Sequence, residues 1–354
     1  MLKQLLSHDL PRNKLLTAVL LVILFGLAFA PFLFPGAKAL NVAAKILIFI
    51  VLVASYDLLL GYTGIVSFAH TMFFGIGAYG IAIASTRMGP GWGSLLVGAL
   101  CAVVLSLVLS LIIGLFSLRV RAIFYAMITL AVASAFQTLA SQLSQFTGGE
   151  DGLNFKLPEL LSPAFQLAEE QVLGAWLDGK FITYYILFFT TVLLFLAMLR
   201  IVNSPFGRVL QAIRENDFRA EAIGYKIVVF RTLSNVLAAI FATLAGCMLA
   251  IWLRYNGPDT SLSFEIMVDI LLIVVIGGMG TMYGAICGSA IFLLAQNYLQ
   301  DLMRIAAGAA QNLPLLPALL SPDRWLLWLG ILFILSVYFF PTGIVGKLRT
   351  WGAK

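Results

Sequence analysis

Chemistry at a protein site needs bases, nucleophiles, metal ligands or phosphate-binding loops at workable spacing, and this sequence offers few. His8 and His70 are its two histidines, too far apart to build an H-E-x-x-H zinc site. Cys101, Cys247 and Cys287 all lie inside apolar runs, where they read as small packing residues and not as a disulfide framework. There is no G-x-x-x-x-G-K-S/T loop, so the sequence offers no phosphate-binding loop of its own. Gly75, Gly77 and Gly80 do spell G-x-G-x-x-G, but within an apolar run. A dinucleotide site needs a preceding strand and a following amphipathic helix. Close helix packing or a locally unwound helix is the expectation here, and Gly284 and Gly288 have the same packing reading.

What remains is a set of isolated polar side chains in apolar surroundings: Lys45, Asp57, His70, Gln137, Asn235, Asp269, Gln296 and Asn297. An ionisable group costs at least ~2.5 kcal/mol at the centre of a bilayer, so it normally faces a cavity or a partner. Asp57, His70 and Asp269 are therefore candidates to line a transport pathway. Two of them have a plainer alternative. Asp57 can pair with a basic residue or lie at the inner interface, and His70 can be a hydrogen-bonded packing residue.

The elements that must position these residues follow from composition. The chain is 61% hydrophobic and 11% charged, against about 25% charged in an ordinary soluble domain. Its apolar residues come in runs, such as 18–34 and 94–118, which contain no charge, and similarly 232–253 and 325–340. About 20 such residues at 1.5 Å each cross the roughly 30 Å hydrocarbon core. Lipid offers backbone groups no partner, so they must pair within helices, and these runs are too long for barrel strands. The expectation is one all-α integral membrane domain over 1–354 with about ten spans, at 15–34, 39–60, 63–86, 94–117, 122–143, 181–201, 232–252, 265–277, 283–300 and 324–340. The eighth is short, and glycines break the third. Lys3, Arg12 and Lys14 before an apolar run, with Ala37-Lys38-Ala39 after it, outline a signal peptide. The run exceeds the usual h-region of about 7–15 residues, so an uncleaved first helix is expected.

The net charge of +6 does not indicate nucleic acid, because the basic residues sit at span ends. With the N-terminus inside, roughly twice as many of them fall inside as outside, which places both termini in the cytoplasm. Residues 144–180 are then the longest outside segment, a periplasmic loop far longer than the roughly 2–8 residues usual between bundled helices. It carries Glu150, Asp151, Glu159, Glu169, Glu170 and Asp178, while Pro158, Leu160, Leu161, Pro163, Phe165, Leu167 and Trp176 argue for an ordered cap. Residues 202–231 form a basic cytoplasmic loop. In it Asn216 or Asp217 can cap a helix start, and Gly224 suits the left-handed position past its end. A helix of about two turns is expected, joined to spans six and seven by short leads. It mixes Phe218, Ala222 and Ile223 with Arg219 and Glu221. Such a helix can dock an apolar ridge into a partner groove, or it can be a solvated connector; spacing alone leaves both open.

The stretch 207–224, in the surroundings FGRVLQAIRENDFRAEAIGYK, resembles the cytoplasmic loop of branched-chain amino acid ABC importers, with Glu221-Ala222 and Gly224 a shortened form of their Glu-Ala-Ala…Gly signature. Residues 61–70, continuing to Gly75-Ile76-Gly77-Ala78-Tyr79, resemble that family's second-to-third-span motif. Thr147-Gly148-Gly149-Glu150-Asp151-Gly152-Leu153 is similar to the outer-loop motif of the M-type (LivM-like) permease subunit. Ile276-Gly277-Gly278-Met279-Gly280-Thr281 and Pro341-Thr342-Gly343-Ile344 resemble its Gly-rich turn and C-terminal end. The resemblance covers 61–346 in order. It implies a bacterial inner-membrane permease, itself no enzyme and binding no cofactor. Its partners would be a second permease subunit, two cytoplasmic ATPases that use ATP, and a periplasmic substrate-binding protein. Arg214, Phe218, Arg219, Glu221, Ala222, Ile223 and Gly224 would then serve ATPase coupling. Asp57, His70, Asp269 and the outer-motif Asp151 are the pathway candidates. The family more usually carries asparagine where Asp57 stands. Permeases for urea, short amides or aromatic compounds share these motifs. An ion-coupled secondary transporter, which uses broken helices and midplane charges, is the alternative from another class.

Overall fold

The computed structural model describes residues 13–33, 36–117, 122–166, 177–309 and 321–351. Lys3, His8, Arg12, Arg119, Arg121 and Lys354 lie outside the described residues, as do Leu167, Glu169, Glu170 and Trp176 of the outer loop.

The chain is a bundle of helices: α1 (Lys14–Ala28), α2 (Ala37–Thr63), α3 (His70–Met88), α4 (Trp92–Ser117), α5 (Ala122–Gln142), α6 (Gly179–Val202), α7 (Pro205–Glu215), α8 (Asp217–Ala222), α9 (Ile227–Leu253), α10 (Phe264–Gly277), α11 (Met282–Ala309), α12 (Trp325–Phe339) and α13 (Gly343–Trp351). Among the described residues, eight helical segments are long and apolar enough to cross a membrane. Every expected span coincides with a helix, but two fall short of that measure. α1 has 15 residues. α3 has 19 but dilutes its apolar residues with His70, Thr71, Ser85, Thr86, Arg87 and three glycines.

α2 is apolar on every side and therefore lies at the centre, buried along nearly its whole length. It packs on α9, α11 and α6. α3 lies between α9 and α4. The outward faces of α4 and α12 expose Leu96, Leu100, Val104, Leu326 and Ile334, as a lipid-facing surface requires. α5 packs more loosely, leaving a cleft of about 430 Å³ lined by Tyr79, Cys101, Leu105 and Phe136. Buried polar groups tie helices together. Asn235 donates to the Ser110 carbonyl (3.0 Å) and accepts from the Tyr125 hydroxyl (3.3 Å), joining α9 to α4 and α5.

Three expectations need correction. The third span, expected over 63–86, is broken by a glycine at its very start and not by those within α3. The break falls at 64–69, where Gly64 (φ +72°) closes α2 with the Gly64 and Ile65 amides bonded back to Leu60 and Leu59. The glycines of α3 instead let helices touch backbone to backbone: a Cβ on Gly77 would stand 1.9 Å from the Thr243 carbonyl oxygen, and one on Gly246 1.8 Å from that of Phe74. Gly277 and Gly284 bring α10 and α11 together in the same way. Finally, the inner loop is not one short helix on short leads. It holds α7 as well, begun by Ser204, whose side chain accepts from the Gly207 amide, and Pro205 in the first turn. α9 also begins earlier than expected, at Ile227.

The packing role of Gly77 has a direct consequence. Gly77→Ala drives a methyl group into a neighbouring backbone, overpacking that costs about 1–3 kcal/mol. Its thermal unfolding midpoint in detergent should fall below wild type, while that of Gly26→Ala, which meets no atom within 4 Å, should not. Equal midpoints for the two variants would contradict this packing.

Candidate functional site

The outer loop and the inner loop sit at opposite ends of α6, whose 24 residues span about 36 Å. They are built in opposite ways. At the cap end, Leu153–Asn154 pairs antiparallel with Tyr255–Asn256. Arg254 donates from Nη2 to the Leu161 carbonyl (2.7 Å), and its own carbonyl accepts from the Phe155 amide (3.2 Å). It is the one non-glycine at positive φ among the described residues, at 57°. Burial pulls its guanidinium below the ordinary value, and the Asp178 carboxylate acts in the other direction. Phe155, Leu157 and Leu161 are buried, so the described part of the loop, 144–166 and 177–180, is an ordered cap. Its Gly-rich motif is a tight turn: Gly148, Gly149 and Gly152 all take positive φ, and Thr147 Oγ1 bonds the Ala140 carbonyl at 2.6 Å. Asp151 is exposed on this turn, and its carbonyl accepts from the Tyr255 hydroxyl (3.2 Å).

At the other end, α7 and α8 form a hairpin. Asn216 caps α8 by accepting from the Arg219 amide (3.0 Å). After the helix, Gly224 takes φ +102°, and the Gly224 and Tyr225 amides bond back to Glu221 and Ala220. Both expected boundaries are therefore present. Asp217, inside the first turn, receives both of its carboxylate bonds from Arg231 Nη2 of α9 at 2.9 Å. The pair is partly exposed and contributes at most about 1 kcal/mol. Tyr225, Phe206 and Phe230 pack ring on ring and seat the hairpin on α9.

The side chains of α8 are largely exposed, and the helix belongs to none of the membrane-spanning segments. Ala220 alone is buried, whereas Phe218 is 87% and Ile223 71% exposed, and Arg219, Glu221 and Ala222 are exposed around them. A helix bounded at both ends thus presents an apolar pair with a charged rim away from its own chain.

Arg214 stands apart from the other coupling candidates. It lies across the C-terminal end of α2 and donates from Nη1 to the Gly61 carbonyl, an acceptor of the last turn, where a cation is favoured. Beside it, Asp57 of α2 accepts the Gly280 amide at 2.9 Å, which fastens the Gly278–Gly280 turn between α10 and α11 to α2. Gly343 packs on the same turn from α13. Asp57 is 2% exposed and feels the Arg214 charge without an ion pair within 4 Å.

The four pathway candidates are not brought together. Asp57 is at the hairpin end and Asp151 at the cap end. His70 is buried against α2. Ser55 Oγ donates to the Leu52 carbonyl (2.7 Å) and so accepts from His70 Nε2 (2.8 Å), while Tyr56 packs edge-on at 5.1 Å. That is the packing arrangement. Asp269 accepts from Gln296 (3.2 Å) between α10 and α11, with Lys45 attracting its charge and Glu265 repelling it. Sequence reasoning missed Arg231 as the partner of Asp217 and Lys45 as a neighbour of Asp269. Gly61 and Gly280 were visible only as members of glycine motifs.

The cap on α8 is open to test. Asn216→Ala removes a bond typically worth about 1 kcal/mol from a helix of six residues. Hydrogen exchange at the Arg219 amide should accelerate about fivefold in Asn216→Ala and stay near wild type in Asn216→Ser. Equal rates in all three would show that the side chain does not hold this end.

Comparison with known proteins agrees with this architecture. The chain is 24% identical over 305 residues to the high-affinity branched-chain amino acid transport system permease protein LivM of Salmonella typhimurium, covering 82% of this chain and 69% of that protein. To the protein of the same description from Escherichia coli it is 25% identical over 297 residues, covering 79% and 68%. To the probable branched-chain amino acid transport permease protein LivM of Methanocaldococcus jannaschii it is 25% identical over 255 residues, covering 72% and 69%. No solved structure is significantly similar. The family model that matches is described as branched-chain amino acid transport system / permease component, and because it spans residues 38–337, the chain belongs to that family of multi-pass membrane permeases.

Proposed function

We propose that this permease translocates branched-chain amino acids across a bacterial inner membrane, working with a second permease subunit, two ATPases and a periplasmic binding protein. The observation that carries the reading is α8. Phe218 and Ile223 are apolar, exposed, and held on a helix capped at both ends. An apolar pair rimmed by Arg219 and Glu221 is suited to a partner groove. The sequence has no phosphate-binding loop of its own, so in this reading ATP is bound and hydrolysed on the partner and the hairpin receives the motion. The roughly two-to-one bias of basic residues supports a cytoplasmic hairpin, on the side where ATP is, and a periplasmic cap, where a binding protein would dock. Asp151, exposed on the Gly-rich turn, lies where such a docked protein would meet the chain. Asp269, near Lys45, remains the pathway candidate with an incompletely paired charge. A carrier fed by a binding protein needs only weak contacts along its path, in keeping with few charged groups within the spans.

The test is co-purification of the ATPase subunits together with leucine-stimulated ATP hydrolysis. Phe218→Ala removes a docking side chain of the kind that contributes about 2 kcal/mol, so ATPase binding should weaken about thirtyfold. Glu221→Arg reverses a rim charge and should lower it further, because like charges at an interface are costly. Both variants should still reach the membrane folded. If both keep their ATPases and full stimulated hydrolysis, the hairpin is a basic connector and the reading fails.

A further inference from the structure

The junction under the hairpin contains a group that the fold leaves unused. Asp57 spends Oδ1 on the Gly280 amide, while Oδ2 is buried with no hydrogen bond within 3.5 Å, the neighbouring Thr281 backbone also acting on the carboxylate. A buried carboxylate oxygen without a partner is destabilising, and such an orphan in a native structure calls for an explanation. The explanation lies one helical turn away. Gly61 follows Asp57 by four residues on α2, about 6 Å along the axis. Its carbonyl holds Arg214 Nη1. The Asp57 side chain reaches up beside Gly61, so the guanidinium lies near a second acceptor, of opposite charge, to which its bond would be charge-assisted. Glycine keeps the space between them open. A Cβ on Gly61 would stand 2.0 Å from Asp57 Oδ1, and one on Gly280 2.8 Å from Arg214 Nη1.

We propose that Arg214 is a positioning residue for transport with two alternative seats, the Gly61 carbonyl in this arrangement and Asp57 Oδ2 in another. This rests on the coupling role proposed for α8. Arg214 belongs to α7, which runs directly into α8, and Asp57 already holds the turn that joins α10 to α11. A change of seat therefore registers hairpin movement at the meeting point of three membrane helices. The first seat satisfies a helix-end carbonyl and the second satisfies the orphaned oxygen. A bound partner that favours one arrangement over the other shifts the balance between them.

The experiment uses the assembled importer, with its ATPases and binding protein, reconstituted in vesicles that take up radiolabelled leucine in wild-type form. Asp57→Asn is nearly isosteric and keeps an oxygen for the Gly280 amide, but removes the charged seat. Arg214→Gln removes the occupant from an exposed position. Each should lower leucine taken up per ATP hydrolysed about fivefold or more while the ATPases remain bound. Loss of bound ATPases is the separate signature of Phe218→Ala, so failure of the coupling reading and failure of the two-seat arrangement give different results. The double variant should be no worse than the poorer single variant, because both remove one contact. Arg214→Lys, a cation able to reach either seat, should recover part of the ratio. An unchanged ratio in Asp57→Asn, or losses that multiply in the double variant, would overturn the proposal.

Discussion

Lipid cannot hydrogen-bond a backbone, and the rest of this structure depends on that constraint. It forces the spanning chain into helices, and it makes every polar side chain within them answerable for a partner. The partners are specific. His70 uses Ser55, Asn235 uses Ser110 and Tyr125, Asp269 uses Gln296, and Asp57 uses the amide of a glycine turn. Helix association in turn relies on close backbone approach, supplied by Gly77 against α9 and by Gly277 against Gly284.

The same constraint pushes functional variety to the two ends of the bundle, and there the chain treats its apolar residues in opposite ways. The cap turns Phe155, Leu157 and Leu161 inward and is stapled by Arg254 and a short strand pair. α8 turns Phe218 and Ile223 outward while its backbone is secured by Asn216, Gly224 and the Asp217–Arg231 pair. A surface that is rigid in backbone but unfilled in side chains suits a docking role more than a connector does. Beneath it, Asp57, Gly61, Arg214 and Gly280 connect that surface to α2 and to the α10–α11 turn.

Much of this was legible in the sequence. Apolar runs located a helix at each expected span, because length and hydropathy are local properties. The caps of α8 were readable from Asn216 and Gly224, whose preferences are also local. α3 was misjudged because its glycines look like breakers in isolation and act as contact surfaces only once α9 lies against them. α7 was overlooked although Ser204-Pro205 is a helix-start signal, since its polar face resembles a loop. The Asp57–Gly280 and Arg214–Gly61 bonds were not legible. Their partners lie 223 and 153 positions apart and meet only through the packing of whole helices. Asp269 could be flagged as a costly charge, but neither Gln296 nor Lys45 could be named as its neighbour.

The central claim is that the outward-facing helix and the ordered cap lie on opposite sides of the membrane, with α8 toward ATP. With the three native cysteines replaced by alanine, a thiol is placed at exposed Ala164 in the cap or at exposed Lys226 beside the hairpin. A membrane-impermeant maleimide applied to spheroplasts should label Ala164→Cys directly and Lys226→Cys only after permeabilisation. Direct labelling of Lys226→Cys with protection of Ala164→Cys would contradict the account, because the hairpin would then face away from any source of ATP.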